Sequence, residues 1–121
     1  MTASSLDRIP LSDLLDLEVS GPSARPRVTA TGEVDCSSAP ELRTLLDELI
    51  DAAPAEIVID LTGVTFLDSA GLCVLAAAHR QVRAAGGRLR VLAATRAVVR
   101  PLQITGLWQL LGGEQVDAVA S

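Results

Sequence analysis

The chain of 121 residues sets ten basic residues, all arginine, against fifteen acidic ones, for a net charge of −5 and a pI near 4.7. Apolar residues make up 49% of it, a composition for one ordered core at a length that fits one domain. No basic patch exists to neutralise phosphates, which argues against direct nucleic-acid binding, and no apolar run approaches the roughly 20 residues that span a bilayer.

Residues 1–12 carry Asp7 and Pro10 where a signal peptide needs an apolar core. They read as a flexible tail of a soluble protein that stays in the cytoplasm, with the domain itself over 13–121. "LLDLEVS" (14–20) and "RVTATGEVD" (27–35) alternate apolar and polar residues across the turn-rich "GPSARP", the pattern of a β-hairpin. Val28, Ala30 and Gly32 fall on one face of its second strand.

"SAPELRTLLDELIDA" follows. Ser38 and Glu41 have the spacing of a capping box, and Pro40 suits a first turn. Leu42, Leu45, Leu46, Leu49 and Ile50 recur at helical spacing, which predicts a helix over about 39–52 with one apolar stripe. Pro54 stops it. "AEIVIDLTGV" is β-branched and nearly all apolar, as in a central strand buried on both faces.

A second helix is predicted over about 70–85, with Leu72, Leu75, Ala76, His79 and Val82 on one face and Gly86-Gly87 as its stop. "RLRVLAA" is the next strand. "TRAVVRPLQITG" is a helix capped by Thr95 and ended by Gly106, and the remainder holds a short strand or turn and a last helical turn or two. The expected fold is therefore α/β: a small mixed sheet, antiparallel in the leading hairpin and parallel elsewhere through right-handed crossovers, with helices packed on it.

Cys36 and Cys73 form no CxxC pair and have no histidine at metal-ligand spacing, so neither a metal nor any other cofactor is expected. They read as reduced thiols. Nucleotide binding lacks its phosphate loop: there is no G-x-G-x-x-G, and no lysine for a G-x-x-x-x-G-K-[ST].

The segment "TFLDSAGLCVL" (65–75) places Asp68 and Ser69 between two apolar runs. A nucleophile elbow would need glycine where Leu67 stands. The lone histidine, His79, lies ten residues on, about 15 Å along a helix, and cannot serve Ser69 as a base. An enzyme is not expected. Asp68 or Ser69 instead caps the helix. A helix start also tolerates an anion, so phosphate on Ser69 would leave the fold intact while adding nearly two charges beside Asp68. Asp35, Ser37 and Ser38 read as caps of the first helix, His79 as partly buried, and Trp108 as packing beneath the C-terminal segment.

"TGEVDCSSAPELRTLL", "IVIDLTGVTFLDSAGLCVLAAAHRQVRAAGGRLRVLAA" and "AVVRPLQITGLWQLL" together resemble the STAS-domain anti-sigma factor antagonists, or anti-anti-sigma factors, from about Leu17 to Leu111. The D-S-x-G-L element after an apolar strand, G-G-x-L-x-V before the next, and the late T-G-L carry the likeness. The resemblance implies a non-enzymatic STAS domain whose unphosphorylated form binds an anti-sigma factor, itself a GHKL-type serine kinase, and frees a sigma factor. It implies that the kinase phosphorylates Ser69 and that a metal-dependent, PP2C-like phosphatase reverses this. Asp35, Asp68, Ser69, Ala70 and Gly71 then form the partner-binding surface, with Ala70 and Gly71 keeping it low. The alternative is a STAS module of a scaffold or lipid-transport complex without a kinase cycle. Departures from the family pattern are Ala70, where a second serine is common, Pro101 within a helix, which should kink it or delay its start, a longer hairpin loop and an extended N-terminal tail.

Overall fold

Leu17 lies opposite Ala30, and Val19 opposite Val28, where β1 (Leu15–Ser20) pairs antiparallel with β2 (Arg27–Val34) in the computed structural model. The structure describes residues 15–116, so the tail expected over 1–12 lies outside the described residues. α1 (Ala39–Asp51), β3 (Glu56–Leu67), α2 (Ser69–Ala84), β4 (Arg88–Ala93), α3 (Arg96–Ile104), the single turn α4 (Leu107–Leu110) and β5 (Gly113–Gln115) follow. The strand order is β1-β2-β3-β4-β5, with β2 to β5 parallel. This is the mixed α/β sheet read from the alternation of strand and helix patterns.

β1 to β4 and the three longer helices build one core, with Leu107 and Trp108 of α4 packed against it. Val28, Ala30 and Val34 of β2 meet Leu42 and Leu46 of α1, Ile57, Ile59 and Leu61 of β3, Leu75 and Val82 of α2, and Leu102 of α3. Burial of such side chains stabilises by about 1.5–3 kcal/mol each. Leu45, Leu49 and Ile50 flank the α1 stripe, half-buried. The buried face of α2 is rotated from the expected one: Gly71, Val74, Leu75, Ala78 and Val82 turn inward, while Leu72, Ala76 and His79 are only partly covered. Burial and the neighbouring Arg83 and Arg80 lower the His79 pKa, so its imidazole is neutral at neutral pH.

β3 is central, but its second face is not apolar. Glu56, Val58 and Asp60 alternate with Ile57, Ile59 and Leu61, and the two acids carry ion pairs across the sheet. Arg27 donates to Asp60 at 2.6 Å, Arg88 reaches Glu56 at 3.1 Å, and Arg90 forks onto Glu114 at 2.9 and 3.0 Å. Burial pushes the Asp60 carboxyl up, but the hydroxyl and amide of Thr62 together with Arg27 outweigh it and hold the pKa below the ordinary 3.8. A depressed folded-state pKa contributes stability that is full above the unfolded value and is lost as pH falls through the folded one. Thermal unfolding of wild type should therefore steepen below about pH 4, and Asp60→Asn should flatten that acid limb. Equal acid slopes for the two proteins would count against the contribution.

β3 also runs three residues beyond its expected end, to Leu67, and it bulges. Thr29 pairs with Asp60 but Thr31 with Gly63; Gly32 pairs with Val64 but Glu33 with Phe66. At the second irregularity Thr65 is the extra residue, and its hydroxyl donates to the Gly32 carbonyl at 3.2 Å. Each extra residue reverses which side chains face the core.

Helix ends differ from expectation in three places. Ser38 does not close a capping box: its hydroxyl donates to the Glu33 carbonyl and accepts from the Asp35 amide. Thr95 occupies the N-cap of α3 and its carbonyl accepts from the Val98 and Val99 amides, but its side chain makes no cap bond. Pro101 sits inside α3, which nevertheless starts on schedule at Arg96. The amide missing at Pro101 leaves the Ala97 carbonyl to solvent on the exposed side. Trp108 packs against the backbone of Gly113, where any Cβ would strike its indole.

Candidate functional site

β2 and β3 end side by side, with Val34 in register with Leu67. Both are buried in the core, and the next residue in each chain segment is an aspartate. The two aspartates do the same work. Asp35 Oδ1 accepts from the amides of Ser37 and Ser38 at 2.9 and 3.1 Å, and its carbonyl accepts from Ser38 and Ala39. The turn leading into α1 is thus capped from Asp35, three residues before the expected cap at Ser38. Asp68 Oδ1 accepts from the amides of Ala70 and Gly71 at 2.9 and 3.3 Å, and its carbonyl from Leu72. The Asp68 amide donates to the Val34 carbonyl at 3.1 Å, which ties the two strand ends together.

Asp68 is therefore the cap of α2, and Ser69 is the first helical residue. The two alternatives open in the sequence resolve to the acid. Ser69 is exposed, and its hydroxyl has no hydrogen-bond partner among the described residues. The Ser37 hydroxyl, by contrast, donates to Asp35 Oδ1 at 2.7 Å. That bond, with the Ser37 and Ser38 amides, outweighs desolvation and holds the Asp35 carboxyl below its ordinary pKa. Asp35 is ionised at neutral pH. His79 lies on the same helix as Ser69, some 15 Å along it, as the spacing required.

Ala70 is half-buried beside Ser69. Gly71 is different: it is buried, and a Cβ there would fall on Leu67 Cδ1 and within 2.8 Å of Val34 Cγ1. The space that glycine saves is inside, between α2 and the two strand ends. The structure thus brings Asp35, Asp68, Ser69 and Ala70 to one edge of the sheet, with Gly71 beneath them. The contributions of Ser37 and Ser38 to the Asp35 turn were visible in part. Each strand ends apolar–Asp and runs into small residues, "VDCSS" and "LDSAG", and the repetition marks two equivalent caps.

Among the described residues, no group of three or more His, Cys, Asp or Glu could hold a metal, and no helix is long and apolar enough to cross a membrane. Residues 17–112 match the family model described as Mlab, STAS domain. The anti-sigma-B factor antagonist of Bacillus subtilis is 34% identical over 85 residues, 70% of this chain and 77% of that protein. The chain belongs to the STAS-domain anti-sigma factor antagonists. A crystal structure of an anti-sigma factor antagonist from Mycobacterium paratuberculosis shares the fold with a TM-score of 0.78 at 30% identity, over 84% of this chain and 86% of that one. The antagonist SpoIIAA in its unphosphorylated form shares it with a TM-score of 0.72 over 87% and 90% of the two chains, at 20% identity.

Proposed function

We propose that this chain, unphosphorylated, docks on an anti-sigma factor that is also a GHKL-type serine kinase and so frees a sigma factor, and that phosphorylation of Ser69 blocks docking. The observation that carries this is the division of labour at the start of α2. Asp68 makes the cap, and the adjacent Ser69 hydroxyl stays exposed for a kinase. Asp35, Asp68 and Ala70 surround it on the docking face, while Gly71 seats the helix. The domain over 13–121 acts in the cytoplasm as a regulator without turnover, and a PP2C-like phosphatase resets it.

Incubation with the cognate kinase and ATP, followed by mass-spectrometric mapping, tests the assignment. Phosphate should appear on Ser69 and be absent from Ser69→Ala. Modification of the nearby Ser37 instead, or none at all, would remove the kinase cycle. Recovery of permease or scaffold components in place of a kinase would then favour the assembly-module alternative.

A further inference from the structure

Phe66, the chain's one phenylalanine, is turned outward by the second bulge of β3. Val64 is fully buried, and simple alternation from it would put Phe66 inside and Leu67 outside. The extra residue Thr65 reverses this: Leu67 is buried under Gly71, and Phe66 is 47% exposed. Bulges commonly re-aim a side chain beside a functional site. Here the re-aimed ring lies two residues before Asp68. Its register partner Glu33 lies two residues before Asp35. The aromatic is therefore continuous with the docking face, on the opposite side of the sheet from the core.

We propose that Phe66 is an aromatic anchor of the docking surface, inserting into an apolar pocket of the anti-sigma factor that is rimmed by basic groups. This rests on the docking reading above and extends it from the helix start onto the open sheet face. Exposed aromatics at the centre of an interface carry a large share of binding. Glu33 lies in register with Phe66, and Asp35 and Asp68 follow two residues on along the two strands, so acids accumulate beside the ring and set the charge of the partner. A second copy of this chain would bring like-charged rims together, because a two-fold contact pairs a patch with itself. An anionic lipid surface would be repelled in the same way.

The test is titration calorimetry of the purified cognate anti-sigma factor against wild type, Phe66→Ala, Phe66→Leu and Ser69→Asp. Phe66→Ala should weaken binding by about 30-fold and Phe66→Leu by less, with the melting temperature of the free protein unchanged or raised. Binding of Phe66→Ala within about twofold of wild type, while Ser69→Asp is impaired, would overturn the anchor and leave the docking reading standing. Absence of any binding heat with wild type would overturn the docking reading and the anchor with it. Sedimentation showing a wild-type dimer that Phe66→Ala dissolves would assign the ring to self-association and overturn the proposal.

Discussion

Phosphorylation of Ser69 should weaken docking on the anti-sigma factor about a hundredfold, roughly 3 kcal/mol. The group added carries nearly two negative charges, and it lands beside Asp68 and on the same sheet edge as the ionised Asp35. An apolar or acidic part of the partner lying over the Ser69 hydroxyl meets that charge unpaired and loses contact area to a hydrated phosphate. Ser69→Asp carries about half the charge and should cost at least tenfold, whereas Ser69→Ala should bind as wild type. Because the serine is exposed, the penalty should shrink as salt rises. Calorimetry at two ionic strengths reads all of this. The same variants should melt within about 0.5 kcal/mol of wild type, since the cap bonds to Ala70 and Gly71 belong to Asp68. A phosphomimetic that binds like wild type would end the switch.

Gly71→Val should act on the opposite quantity. Glycine is the weakest common helix former after proline, so propensity alone would reward replacement. The packing forbids it. Leu67 Cδ1 ends a rotatable side chain but is buried, and the stiff, fully buried Val34 has nowhere to go. The first turn of α2 must lift, at a cost of about 3 kcal/mol for such overpacking, or a fall in melting temperature on the order of 10 °C. Ala70→Ser, one residue away and half-exposed, should leave stability within about 0.5 kcal/mol. If Gly71→Val instead kept its melting temperature and lost only affinity, the glycine would be serving the surface.

Local patterns in the sequence were sufficient for much of this architecture. The leucine spacing of α1 and the alternation in β1 and β2 depend on one segment at a time, and the observed elements follow them closely. What escaped depends on two segments at once. The bulges in β3 exist only relative to β2, so the outward turn of Phe66 and the burial of Leu67 could not be read from "GVTFLD" alone. The inward face of α2 was misplaced because Gly71 lacks the apolar side chain that a periodicity argument counts, although its missing Cβ is what lets the helix seat. At the site, the acid and the serine were evident from the motif, but their roles were separable only by geometry. The S-x-x-E spacing at Ser38 suggested a cap, but Asp35, one turn earlier, takes the Ser38 amide, and the Ser38 hydroxyl is occupied by the Glu33 carbonyl and the Asp35 amide.

The capping of α2 by Asp68 rather than Ser69 has a kinetic consequence for any regulatory cycle. A modification that removed a cap would lower the folded fraction each time it was made, and the signal would be entangled with the supply of protein. With the amides held by the neighbouring carboxylate, both forms of the serine draw on the same folded pool. The ratio of competent to incompetent molecules can then be reset repeatedly without unfolding, degradation or new synthesis. Total abundance and signalling state become independent variables.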